Sequence, residues 1–249
     1  MKKMFLLACT LCLSVCAMAQ TAFYVYKTDG SRVKYDIADV DSISFTAPKV
    51  TTENGREYVD LGLPSGTKWA TCNVGATAPE EYGDYFAWGE ITTKSSYNWS
   101  TYKWCNGDYN NLTKYNTDSG YGTVDNKTTL TLADDAAAAN WGGRWRMPTD
   151  DEWTELRENC TWTWTADHQG TGIAGRVVTG PNGNSIFLPS AGYRRNDYLN
   201  GAGNFGYYWS SSLDTGSPLN AWNVYFNSGN VDRSSYLRYY GLSVRPVLF

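Results

Sequence analysis

The run Arg144-Trp145-Arg146-Met147-Pro148-Thr149-Asp150-Asp151-Glu152-Trp153 constrains the fold more than any other stretch, because it pins the start of a helix to one residue. Thr149 is a good N-cap, and Glu152, three residues on, can reach back to complete a capping box. Asp150 and Asp151 fall in the first turn, where the helix dipole favours negative charge. Pro148 and Trp153 occupy the two positions of a hydrophobic staple. Trp153 and Leu156 then share one helical face, and the helix is expected to end near Glu158. A shorter helix is predicted through Ala136-Ala137-Ala138-Ala139, capped by Asp134. Beyond the second helix the pattern turns to strands. Val177-Val178 and Ile186-Phe187-Leu188 flank the turn Pro181-Asn182-Gly183-Asn184. Tyr207–Ser212, Ala221–Phe226 and Leu242–Val247 are expected to complete an antiparallel meander. Helices early and a twisted sheet late make the class α+β, with much irregular structure.

Upstream, Lys2 and Lys3 precede the apolar run from Met4 to Ala17, which is too short to span a bilayer. Ala17-Met18-Ala19 offers small residues to a signal peptidase, so residues 1–19 read as a signal peptide and the mature chain as starting at Gln20. Lipidation at Cys16 is the competing reading, and Val15 fits it poorly. Cleavage leaves about 230 residues, enough for one large domain with an appendage. Residues 20–47 read as a small β segment, with Asp29-Gly30 as a hairpin turn and Ile43-Ser44-Phe45 alternating. Residues 48–57, containing Pro48, Asn54 and Gly55, read as a linker to a domain spanning 58–249. Within it, Tyr58–Leu61, Lys68–Asn73 and Tyr82–Trp88 are strand candidates, and 91–128 reads as a long surface loop region.

Several function classes lack their residues. The net charge is −4, with no Lys/Arg-rich stripe, which argues against nucleic acid as a partner. No further apolar stretch reaches the length of a transmembrane span. The one histidine, His168, cannot build a His-rich metal centre, and no Gly-x-Ser-x-Gly elbow supports a triad around it. Asp134/Asp135 and Asp150/Asp151 are explained as helix starts rather than as a catalytic carboxylate pair. No EF-hand loop is present. The chain is read as not an enzyme, with no cofactor and no metal. What it has in excess is aromatic: 11 Trp and 19 Tyr. Trp and Tyr suit binding faces, and equally suit the plugging of an irregular core, which is the expectation for most of the Trp residues.

The run around Thr149 resembles the Arg-x-Pro-Thr-x-x-Glu-Trp signature of the C-type-lectin-like superfamily, which includes the formylglycine-generating enzymes. Tyr58-Val59-Asp60-Leu61-Gly62-Leu63-Pro64-Ser65-Gly66, Trp69-Ala70-Thr71-Cys72-Asn73-Val74-Gly75, Leu188-Pro189-Ser190-Ala191-Gly192-Tyr193-Arg194, Tyr208-Trp209-Ser210-Ser211-Ser212 and Ser243-Val244-Arg245-Pro246-Val247 are similar to the Fibrobacter major paralogous domain. That family is abundant in secreted proteins of Bacteroidetes. The resemblance covers about residues 56–249 and implies a C-type-lectin-like fold. It also implies a disulfide between Cys72 and Cys160, both inside its motifs, with Cys105 left over because its usual partner position holds Asn116. No cysteine follows Cys160, so the enzyme branch's late cysteine pair is missing. The calcium-dependent sugar motifs of lectins are missing too.

From Tyr193 to Tyr240 the chain mixes Tyr, Asn, Ser, Asp, Arg and Gly around apolar anchors such as Trp209, Val224 and Phe226. Arg194, Arg195, Asn196, Asp197, Tyr198 and Asn200 fall in one loop. Asn220, Trp222, Asn223 and Tyr225 lie on or beside a strand, and Asp232, Arg233, Tyr236, Arg238, Tyr239 and Tyr240 follow. Such mixtures are used by antibody-like binding surfaces, and the same residue types also form ordinary turns. Trp209-Ser210-Ser211-Ser212, Phe226–Val231 and Gly241–Val247 further resemble the variable region of diversity-generating-retroelement target proteins, which implies a diversified binder. The expectation is an exported or surface-associated, non-enzymatic ligand-binding or adhesion protein whose partner is a glycan or a surface protein. A structural subunit of a surface assembly and a degenerate formylglycine-generating-type enzyme are the alternatives. The sequence says nothing of oligomeric state.

Overall fold

In a computed structural model of the chain, residues 21–26, 31–40 and 51–248 are described. The signal peptide, Cys16, the Asp29-Gly30 turn and Ile43–Phe45 lie outside them. The chain divides into two compact units, up to Lys49 and from Val50 onward. In the first, β1 (Ala22–Tyr26) pairs antiparallel with β2 (Arg32–Asp36).

The second unit runs β3 (Thr51–Glu53), β4 (Arg56–Asp60), β5 (Lys68–Ala70), α1 (Ala136–Trp141), α2 (Asp150–Asn159), β6 (Thr161–Thr165), β7 (Gly175–Thr179), β8 (Ser185–Pro189), β9 (Tyr193–Arg195), β10 (Tyr198–Asn200), β11 (Gly206–Leu213), β12 (Asn220–Phe226), β13 (Val231–Leu237) and β14 (Val247–Leu248). Its strands form antiparallel sheets in the orders β14-β5-β4-β3, β6-β7-β8 and β11-β12-β13, plus the hairpin β9-β10. Antiparallel sheets with two short α-helices make this an α+β fold. Among the described residues no helix is long and apolar enough to cross a membrane.

α2 begins where its capping chemistry requires. The Thr149 side chain accepts from the Glu152 N–H, and Glu152 accepts from the Thr149 N–H. Glu152 also takes both arms of Arg146, at 2.7 and 2.6 Å, so the helix start is tied to the strand-like run before it. Trp153 and Leu156 are buried, as their spacing predicts. α1 is capped by Asp135 rather than Asp134, which ends a preceding 3-10 turn and is held there by Lys114 and Tyr115.

Other expectations change. Residues 51–57 are not a linker: Asn54 and Gly55, with φ of 47° and 73°, turn β3 into β4. Tyr82–Trp88 forms no strand, only an isolated bridge from Phe86 to Leu242. The third strand of the meander is β13, not Leu242–Val247. That run instead threads between sheets and ends by pairing Val247 and Leu248 with β5. Cys72, Cys105 and Cys160 are all free, so the Cys72–Cys160 bridge is not formed. Cys72 lines a surface cavity of about 160 Å³ with Arg56, Thr77 and Trp141. Cys160 caps α2 and packs on the cluster around Leu61, Trp69 and Leu156.

Tryptophan fills the interior. Trp69, Trp88, Trp145 and Trp209 are essentially inaccessible. Trp88 donates to the Ser210 carbonyl at 2.8 Å, Trp209 to Phe86 at 2.8 Å and Trp145 to Glu53 at 2.9 Å, so these three polar ends are satisfied, whereas the Trp69 indole N–H has no hydrogen-bond partner. Two arginines are equally buried. Arg238 donates to the Tyr102 hydroxyl and to the carbonyls of Lys114, Tyr115 and Pro218. Arg245 donates to Asn73 Oδ1 and to the carbonyls of Ala70, Thr71 and Phe187. None of these acceptors is a carboxylate. A guanidinium's donors fan out in a fixed plane, which lets one side chain satisfy carbonyls that irregular loops leave unpaired.

Candidate functional site

The sheet β11-β12-β13 has one face against α2 and one face of tyrosines. On the α2 side, Tyr208, Val224 and Phe226 pack with Trp153 and Leu156. On the other, the register sets Tyr207 opposite Tyr225 and Ala221 opposite Tyr236. Tyr207 and Tyr225 rings lie 5.0 Å apart, and Tyr207 and Tyr236 lie 5.1 Å apart. Phe205 stacks on Tyr225 at 6.0 Å. Tyr193, from β9, contacts Tyr207 at 5.2 Å and stacks on Tyr240 at 5.5 Å. All but Tyr207 are half-buried, so the rings form a continuous wall with one side still reached by solvent.

Next to this wall stands the β9-β10 hairpin, whose turn is Asn196-Asp197. Asn196 adopts φ 51°, a left-handed position that asparagine tolerates, and its backbone pairs with Tyr97 at 2.8 and 2.9 Å. Arg195, Asn196, Asp197 and Tyr198 are exposed, Tyr198 at 71%. The Arg195 guanidinium reaches over the Tyr240 ring at 5.8 Å. Arg194 lies over Tyr85 at 5.3 Å, and Asn200 donates to the Tyr198 carbonyl. The wall and the hairpin together offer rigid rings, a cation, a carboxylate and carboxamides on one surface.

Burial raises the Tyr207 phenol far above its ordinary value, and the neighbouring Tyr236 hydroxyl adds to this. Burial, then Tyr239, pushes Tyr240 up to about 12. At neutral pH the Tyr207 and Tyr240 hydroxyls are therefore protonated and able to donate hydrogen bonds. His168 lies elsewhere: its ring stacks on Phe187 with centroids 3.8 Å apart, and burial lowers its pKa.

Of the residues expected on a binding surface, the structure brings Arg195, Asn196, Asp197, Tyr198, Tyr225, Tyr236 and Tyr240 together, with Arg194 and Asn200 at their edge and Asp232 exposed opposite Tyr225. Others are corrected. Arg238 is 0% exposed and is one of the buried carbonyl-binding arginines. Tyr239 is 6% exposed and packs edge-on against Trp99 at 5.0 Å. Asn223 is 1% exposed, and both polar atoms of its side chain are without a hydrogen-bond partner. Trp222 alternates to the opposite side of β12 from Tyr225. There Arg233 covers its ring at 3.2 Å while binding Asp150 of α2 at 2.7–3.0 Å. Asn220 is half-buried at the start of β12. Tyr193, Phe205 and Tyr207 were not expected in the site. Tyr207 is two residues from the buried anchor Trp209 and shares its face, so the pattern marks it as core, and the ring contacts of Tyr193 and Phe205 have no local signal.

Compared with models of protein families, with curated proteins and with solved structures, the chain matches none.

Proposed function

We propose that the protein is an exported, non-enzymatic binding or adhesion protein, and that the tyrosine wall with the β9-β10 hairpin is its ligand surface. The observation that carries this is the partly exposed ring wall of Tyr193, Phe205, Tyr225, Tyr236 and Tyr240 beside the exposed Arg195, Asp197 and Tyr198. Tyrosines on a sheet lose few rotamers on binding and supply apolar area with a hydroxyl handle, while Asn, Asp and Arg on a hairpin adapt their hydrogen bonds. The likeness to the C-type-lectin-like superfamily and the major paralogous domain supports the reading, as does the likeness of the C-terminal segment to retroelement-diversified proteins. A glycan or a surface protein is the ligand class.

The experiment is a glycan and surface-protein array probed with wild type and with Tyr198→Ala, Tyr236→Ala and Tyr240→Ala, alongside thermal melts. A hot spot among them should cost at least about 2 kcal/mol of binding with the melt preserved. Trp209→Ala should instead lose about 3–5 kcal/mol of stability, because it empties a buried indole's volume. Full binding by all three tyrosine variants would place the ligand elsewhere. For diversification, a reverse transcriptase and an adenine-rich copy of the 3′ coding end in the neighbouring DNA would decide the matter.

A further inference from the structure

The N-terminal hairpin has two unlike edges. β2, Arg32-Val33-Lys34-Tyr35-Asp36, carries alternating charges, and Lys34 pairs with Asp36 at 2.7 Å. β1, Ala22-Phe23-Tyr24-Val25-Tyr26, carries none. The register from Ala22↔Asp36 to Tyr26↔Arg32 occupies one edge of each strand, and among the described residues the other edge of β1 is unpaired. Successive residues of a strand point to opposite faces, yet Tyr24 and Val25 are 44% and 46% exposed. Tyr35 and Ile37 are 43% and 45% exposed. Both faces of this ribbon therefore present apolar area. A two-stranded ribbon is marginal alone, and natural sheets guard open edges with charge. β2 is guarded in this way and β1 is not.

We propose that β1 is an assembly edge that pairs antiparallel with β1 of a second copy of the chain, about a two-fold axis at Tyr24. In that register Phe23 faces Val25 of the second copy, Ala22 faces Tyr26, and no charge meets another. Pairing through β2 about its own centre would set Lys34 against Lys34 and Arg32 against Asp36 of the second copy, so that edge would have to bury charges that β1 lacks. The charged β2 strands then form both outer edges of a four-stranded sheet, so the assembly closes at two copies. Arg32, whose guanidinium lies over the Tyr24 ring at 4.8 Å, remains free to cover that ring from its own strand.

The test is sedimentation velocity on the full chain across a concentration series. Wild type should show a monomer–dimer equilibrium. Val25→Lys should weaken it at least tenfold, and Lys34→Gln should leave it unchanged. Because Val25→Lys could act by melting the hairpin, Tyr24→Cys provides an independent readout: mild oxidation should give a covalent dimer whose mapped bridge joins position 24 to itself. A monomer at every concentration, or a dimer that Val25→Lys leaves intact and Tyr24→Cys does not bridge, overturns the proposal. A strand contributed by a different protein would show as the first of these outcomes.

Discussion

Arg238 and Arg245 show how single residues hold this molecule together without ion pairs. Each is buried as a cation and surrounded by neutral oxygens, mostly carbonyls of loops that no sheet satisfies. Hydrogen bonds to a charged group contribute about 1.5–3 kcal/mol each, and a buried acceptor left unmet costs about 1–3. Arg238→Met should therefore destabilise by at least about 3 kcal/mol in urea titration, and Arg238→Lys should rescue only part of it, since an ammonium cannot span the same oxygens. Asn223 is the opposite case, a buried carboxamide with neither polar atom partnered. Asn223→Leu should raise stability by about 1 kcal/mol, read from the same titration. A fall would mean that the carboxamide is satisfied in solution. Sequence placed both residues on the binding surface because residue type records polarity and not direction. Alternation along β12 puts Asn223 on the same face as the half-exposed Tyr225, so what buries Asn223 is the packing around it and not the strand pattern.

Elements differ in how much of them is local. The start of α2 was legible because every part of its cap lies within a few residues, and Thr149 and Glu152 make the expected exchange. The third strand was misread because Leu242–Val247 alternates well but pairs with partners far away in the chain, whereas β13 is polar and is recruited by β12. Asn54-Gly55 is a strong hairpin signal, but the strands it joins are too short to be read as strands by themselves. The α2 cap also carries a pH dependence. Burial pushes the Glu152 carboxyl up, but Arg146 and the Thr149 N–H outweigh it and the net pKa falls below its ordinary value. A carboxylate with a depressed folded pKa stabilises above its unfolded value of about 4.3 and loses that contribution as pH falls through the folded one. Glu152→Gln should thus cost about 2 kcal/mol at pH 7 and progressively less in acid, so that its melting curves converge with wild type below the carboxylate range. A constant gap down to low pH would show that the charge does not matter.

At the scale of the whole molecule, the described residues hold together without a covalent link between cysteines. The native protein, alkylated without reductant, should yield labelled Cys72, with Cys105 protected until unfolding because it is fully buried and donates to the Trp99 carbonyl. Burial also raises the Cys160 thiol to about 11, so it should react slowly at neutral pH. A Cys72–Cys160 peptide pair in the non-reduced digest would overturn this and restore the bridge implied by the family resemblance. Topology takes the place of that bridge. Residues 244–248 return to the beginning of the second unit: Val244 accepts from the Val74 N–H at 3.0 Å, Pro246 from Ala70 at 3.0 Å, and Val247 exchanges hydrogen bonds with Arg146 at 3.2 and 2.9 Å.

This closure also sets the order of events during synthesis. The ribosome makes β5 and the loop after it long before the segment that completes their sheet and donates hydrogen bonds to their carbonyls. Until that segment emerges, the first sheet lacks a strand and the Arg245 oxygens have no donor, so the growing chain has little reason to settle. For the exported protein proposed above, that delay is useful. A chain whose sheet closes only when residues 244–248 arrive can still pass unfolded through a translocation pore.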